Sequence, residues 1–200
     1  MGLAFSQTSV EPVYYDGAKM TTDSVFNALS GLPERVRATE IQMAAVAYLE
    51  TRTIFVSGVL ETSDRAVMVT YDLPTVGEWN FVKTETNLSD QVWSSWIMSV
   101  DEGGRFIENP ERPNRSLQFA KSALSSDGKR LGFYDGEVRP GESILKQFTI
   151  DSPSRRFYMS HGKRGKPDFL PSEVELLDEI ENGYELDPAY ELFVPVEIRF

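Results

Sequence analysis

The feature that most constrains this chain is the density of its turn signals. From Arg52 onward, short β-branched and aromatic runs alternate with clusters of Gly, Pro, Asn, Asp and Ser. TIFVSGVLE, AVMVTYDL, EWNFVKTE and VWSSWIMSV are each followed by such a cluster, at Glu61–Asp64, Pro74–Gly77, Asn87–Asp90 and Asp101–Gly104. Runs of this length are too short for independent helices, and these residue types suit a pleated, half-buried surface. They predict a succession of strands with short connections. The pattern resumes at LQFAKSAL, KRLGFYDG, ILKQFTID and RRFYMSH, after a rigid polar loop with two prolines, Glu108–Ser116.

The signal is strongest in ALSSDGKRLGFYDGEVRPGE, Ala123–Glu142. Asp127-Gly128 has the chemistry of a type I′ hairpin turn between Lys121–Leu124 and Arg130–Tyr134. Asp135-Gly136 reads as a bulge or second corner, and Pro140-Gly141 as a third.

Helical signals are fewer. Thr22 or Asp23 can cap a short helix running to Leu29, ended by Gly31 and Pro33. In ERVRATEIQMAAVAYLETR, Ile41, Ala44, Ala45, Tyr48 and Leu49 fall on one helical face with Thr39 as cap, and a strand is the competing reading for its first part. PSEVELLDEIENG is the clearest helix. Ser172 and Glu175 have capping-box spacing, Gly183 is the stop, and Val174, Leu177 and Ile180 form the expected inner stripe. In YELFVPVEIRF, Val194, Val196, Ile198 and Phe200 alternate with Pro195, Glu197 and Arg199, which predicts a half-buried strand with Pro195 at an edge or bulge. Residues 1–20 read as an extended arm. The fold class is mainly β, sandwich- or jelly-roll-like, with roughly nine or ten strands and two or three peripheral helices; α+β is the alternative. Residues 1–200 form one domain.

LGFYDGEV, following a strand and SSDGKR, resembles the strand–Asp-Gly–strand segment of concanavalin-like and laminin-G-like jelly rolls. GEWNFVK, Gly77–Lys83, is similar to another strand of that kind. The resemblance covers two short segments and implies a β-sandwich. No ligand cluster matches, so it implies no calcium or sugar site.

Composition excludes several chemistries. There is no cysteine, so thiolate nucleophiles, disulfides and Cys-ligated metals are excluded. The single histidine, His161, forbids a multi-histidine metal site. No P-loop, nucleophile elbow, zinc-protease or dinucleotide fingerprint occurs, so no catalytic residue, cofactor or metal is assigned. No stretch approaches the ~18 apolar residues of a membrane span, and MGLAFSQTSV lacks the basic start of a secretory signal. This reading expects a soluble, intracellular or virion-associated protein. Gly2 and Ser6 fit the myristoylation pattern, a weak membrane signal without a basic cluster beside it. The net charge of −11 disfavours nucleic acid.

Two groups of residues remain as candidate sites. Arg155, Arg156, His161, Lys163, Arg164 and Lys166 form a basic segment, with HGKRGKP as its hairpin tip, able to meet a partner or an anion. An acidic stretch, Asp168–Glu191, follows it; the two can pair within one molecule or between neighbouring copies. Trp79 and Trp96, with Glu78, Asp101 and Glu102 nearby in sequence, are a possible sugar platform. The leading functional expectation is a non-catalytic structural or assembly protein, such as a capsid-surface component, acting through self-association or a protein partner. A carbohydrate-binding sandwich or glycosidase is the first alternative. An anion or nucleic-acid binder through residues 155–166 is the second.

Overall fold

The computed structural model describes residues 42–60, 66–101, 103–165, 172–183 and 188–200. Thirteen strands and one helix occur among them. The order is β1 (Gln42–Tyr48), β2 (Thr53–Leu60), β3 (Ala66–Asp72), β4 (Gly77–Asn87), β5 (Trp93–Val100), β6 (Arg105–Ile107), β7 (Arg115–Ser116), β8 (Phe119–Leu124), β9 (Arg130–Gly136), β10 (Ser143–Ser152) and β11 (Arg156–Gly165). The helix α1 (Glu173–Asn182), then β12 (Pro188–Val194) and β13 (Val196–Arg199), complete it. The arm at 1–20, the helix at 22–29, Gly2, Glu102 and Lys166 lie outside the described residues.

The strands form two sheets. One runs β13-β1-β2-β4-β10-β6, with β7 also on β10; the other runs β12-β3-β11-β5-β9-β8. Their inner faces share one core. Phe81 of the first sheet meets Tyr71 at 5.4 Å and Phe157 at 6.1 Å in the second, between ring centroids. Phe81 also stacks on Phe148, the residue directly opposite on β10, at 5.3 Å. Offset and edge contacts of this kind add to area burial. Three ladders are parallel: β1 with β13, β2 with β4, and β3 with β12. Jelly rolls are antiparallel throughout, so these ladders set the strand order apart from that pattern.

The expected helix through Ile41–Leu49 is strand β1 over its described part. Met43, Ala45 and Ala47 alternate inward, and Ala45 and Ala47 are buried. The alanines favour helix locally, but β1 is held on both sides, antiparallel to β2 and parallel to β13. Tertiary pairing overrides propensity here.

The hairpin at Asp127-Gly128 joins β8 to β9 as the sequence predicts, but by a different turn. Gly128 N–H donates to the Ser125 carbonyl at 2.9 Å, and Ser125 N–H donates to the Arg130 carbonyl at 2.9 Å. Within this turn Gly128 alone is left-handed, at φ 71°. This is a type I turn followed by a left-handed glycine rather than type I′. Asp127 contributes through its side chain, which accepts from Lys129 N–H and Ser125 Oγ. At Pro140-Gly141 the turn is type II: Glu142 N–H donates to the Arg139 carbonyl at 2.9 Å, with Gly141 at φ 86°. Asp135-Gly136 is the end of β9 rather than a bulge: the register against β8 is unbroken through Gly136, although Asp135 sits at φ 63°.

Helix α1 has the expected capping box and Gly183 stop. Its buried stripe is Leu176 and Ile180, whereas Val174 and Leu177 face solvent. The difference has a local cause. Arg130 on β9 donates to the carbonyls of Ile180 and Glu181 at 2.7 and 2.6 Å, and Lys121 on β8 pairs with Glu173 at 3.0 Å. These contacts orient the helix so that Ile180 lies over Gly132, where a Cβ would come within 2.3 Å of Ile180 Cδ1. Arg130 thereby supplies the positive charge that the last turn lacks.

Gly136 is required for a different reason. A Cβ there would lie 2.0 Å from the backbone oxygen of Gln118. Gly136→Ala must separate β8 from β9 and is expected to cost about 1–3 kcal/mol or more, read as a lower denaturant midpoint. A wild-type midpoint would contradict this packing.

Candidate functional site

The most unusual chemistry in the structure lies between the sheets. Along β4 the inward phase runs Trp79, Phe81, Lys83, Glu85, Asn87, every one buried. On β10 it runs Ile144, Lys146, Phe148, Ile150, also buried. Lys83 and Lys146 stand directly opposite each other in the β4–β10 ladder. Like charges at that position repel. Glu85, one inward step along β4, is shared between them. Lys83 Nζ lies 3.1 Å from Glu85 Oε1, and Lys146 Nζ binds Oε2. All three side chains have zero solvent exposure.

The second sheet completes the enclosure with aromatic rings. Lys146 Nζ sits 3.6 Å from the centre of the Trp96 ring, and Lys83 Nζ 5.6 Å from that of Tyr71. Trp93 packs beside Trp96 at 5.4 Å. A ring face compensates part of the lost hydration of an ammonium group. Burial works against the Glu85 carboxylate, but the two ammonium groups outweigh it and hold its pKa below the ordinary value of 4.5. Burial raises Tyr71 above the ordinary 10.0, although Lys83 opposes it. The cluster thus sets two lysine side chains on one shared carboxylate.

The end of β4 is fixed by Asn87. Its Nδ2 donates to the carbonyls of Gln91 and Val138, and its Oδ1 accepts from Ser89 N–H and Oγ. Its backbone bonds the Arg139–Glu142 turn at Gly141 and Glu142. Asn87 ties the end of the charged ladder to the turn residues that the sequence makes conspicuous.

The residues singled out in the sequence are placed otherwise. Trp79 and Trp96 are core residues with no exposed face. Trp79 donates Nε1–H to the Thr75 carbonyl at 2.9 Å and lies under the Arg52 guanidinium at 4.6 Å. A sugar platform needs an open ring, and neither ring offers one. Of the basic segment, Arg155 donates to the Leu73 carbonyl at 3.0 Å. Arg156 pairs with Asp72 at 3.1 Å. His161, Lys163 and Arg164 lie on β11, opposite Met98, Trp96 and Ser95 of β5, and not at a hairpin tip. Among the described residues β3 pairs with β11 only as far as His161, so Lys163 and Arg164 are laddered to β5 alone. The acidic helix pairs with Lys121 and Arg130, a partnership not visible from charge order along the chain. Among the described residues no group of His, Asp or Glu is arranged to hold a metal. No described helix is long and apolar enough to cross a membrane.

The charged cluster has a signature in sequence. In WNFVKTETN and SILKQFTI, Lys83, Glu85 and Lys146 share the alternation phase of Phe81 and Phe148. A charge on the apolar phase of a long strand marks either a strand whose other face is inside or a buried ion group.

Residues 43–198 match the model of a family of unknown function, DUF6423, and the chain belongs to that family. No curated protein and no solved structure matches it.

Glu85→Gln leaves two buried ammonium groups without a counter-charge and is expected to destabilise by about 3–5 kcal/mol. Lys146→Met leaves a one-to-one pair and should cost distinctly less. Replacing all three by Met, Leu and Met should be neutral or stabilising by about 1–4 kcal/mol. Denaturant titration of the series checks this order; a Glu85→Gln protein as stable as Lys146→Met contradicts it. The pH dependence follows from the signs. The lowered Glu85 pKa contributes stability above pH 4.5 that is lost as pH falls through the folded-state value. The raised Tyr71 pKa contributes stability below pH 10.0 that is lost as pH rises through the folded-state value. The Glu85→Gln variant should show a weaker acid-side loss than wild type in the same titration.

Proposed function

We propose that this DUF6423 chain is a structural component that works by assembly with other protein chains, its two sheets being the halves of a β-sandwich. The observation that carries the reading is the distribution of side chains at the β12–β13 crossover. Phe193 on β12, Ile198 on β13 and Phe200 just past it are exposed at 53%, 43% and 99% within eight residues of chain, and β12 and β13 each end a sheet. Exposed apolar side chains along sheet edges mark a recognised place for another chain to add. The strongest ionic chemistry, by contrast, is enclosed between the sheets, where it holds strands together. The rigid 108–116 loop supports the same reading. Arg112 ties it to the Thr51 carbonyl at 3.0 Å and Asn114 to the Ile107 carbonyl at 3.2 Å, so it presents a preformed surface. A preformed surface loses little conformational entropy on binding.

Native mass spectrometry over a range of protein concentrations is the direct test. The expected result is an oligomer whose population rises with concentration. A protein monomeric throughout, which also recovers no partner in pull-down, removes the reading.

A further inference from the structure

The last strand carries a pattern that specifies its own partner. We infer that β13 is a self-complementary edge that pairs antiparallel with β13 of a second copy about a two-fold axis at Ile198, an inference that rests on the assembly reading above. β13 ends its sheet, with β1 on one side and no described strand on the other. Leu49 N–H donates to the Arg199 carbonyl at 3.2 Å, so Arg199 turns its backbone groups toward β1, and Glu197 does likewise. Val196 and Ile198 therefore turn their N–H and C=O groups to the open side, and Phe200, just past the strand, turns its N–H there.

Side chains alternate in the other sense. Val196 is half-buried against the core, and Ile198 and Phe200 continue that face outward. Glu197 and Arg199 occupy the opposite face, where they form an ion pair at 2.6 Å. Antiparallel pairing of V-E-I-R-F about Ile198 places Ile198 opposite its copy and Val196 opposite the copy's Phe200. The Ile198 pair can therefore exchange two backbone hydrogen bonds, and the Phe200 N–H can donate to the copy's Val196 carbonyl. The same register places Glu197 opposite the copy's Arg199, and Arg199 opposite its Glu197. Opposite charges across a ladder stabilise, and like charges repel.

No neighbouring register does as well. A slip of one residue sets outward amides against inward ones. A slip of two sets Glu197 against Glu197, or Arg199 against Arg199. Backbone direction, apolar face and charge thus agree on one register and one occupant, a second copy in an isologous contact. The apolar face of the pair continues the core of each protomer across the axis, and the joined sheet has no free edge at β13.

The test is a charge-exchange series followed by native mass spectrometry and light scattering. Wild type is expected to be dimeric. Glu197→Arg alone and Arg199→Glu alone should each lose the dimer, while the double variant should regain it. Mixing the two single variants should yield a heterodimer, because the two arginines on β13 of one then face the two glutamates on β13 of the other. Near-UV circular dichroism confirms that each variant is folded. If wild type assembles and the single variants assemble equally well, or their mixture fails to pair, the β13 interface is wrong while the assembly reading stands. If wild type is monomeric at every concentration and recovers no partner, both fall.

Discussion

The Lys83–Glu85–Lys146 group is the constraint around which the rest of the structure is arranged. A buried ion pair gains little net stability, because the desolvation of its charges offsets most of their attraction. What it does impose is position. A lone ammonium between two sheets, with its carboxylate displaced, costs far more than the pair contributes. The register of β4 against β10, ten residue pairs long, is therefore the one in which Glu85 reaches both lysines. A slip of β10 by one residue would turn Lys146 to the other face and bring Gln147 inward. The second sheet is placed by the same requirement, since Trp96 and Tyr71 must cover the ammonium groups.

Outside the cluster, long-range side-chain-to-backbone bonds hold the connections in place. Arg52 reaches the carbonyls of Val76 and Glu78 at 2.9 and 2.8 Å, fixing the approach to β4. Asn87 fixes its exit. Arg130 fixes the helix on the outer face of the second sheet. In each case one polar side chain satisfies carbonyls that local secondary structure leaves open. Arg52 and Arg130 do so across a long sequence separation, as Asn87 does at Val138. Such contacts are expected in a fold dominated by non-local pairing, where loop entropy must be overcome by specific anchors.

The strands from Thr53 to Arg156 are legible because each is bounded by turn chemistry and carries its own period. β4, β5, β9 and β10 begin and end within a few residues of their expected limits. The departures have separate physical causes. β1 is rich in alanine, which favours helix locally, and only its two ladder partners make it a strand. HGKRG has the composition of a loop, two glycines among three polar residues, yet β3 and β5 flank β11 on either side and draw His161 and its neighbours into the sheet. Ile180 is buried as the helix pattern predicts, but Leu176 replaces Val174 and Leu177 beside it because Gly132 and Arg130, far away in sequence, decide which face is buried. The tryptophans suggest surface sites only through their acidic neighbours in sequence, and adjacency along the chain says nothing about enclosure. The charged cluster is readable in part: lysine on the apolar phase of a long strand is informative, but which carboxylate meets it depends on strand order.

Strand order also explains why the apolar rim and the charged core belong to one design. β12 and β13 are consecutive, joined only through Pro195, yet they end different sheets. The chain crosses from one sheet to the other at a residue that cannot donate a ladder hydrogen bond. Val194, immediately before it, is fully buried, so the crossover is anchored to the shared core. A strand held this way at one end is fixed in direction by β1 and in depth by Val194 and Val196. Its outward amides and its V-E-I-R-F alternation are then presented in a single rigid frame. β4, whose register on β10 the cluster fixes, pairs with β2, β2 with β1 and β1 with β13, so the edge strand is built outward from the charged ladder.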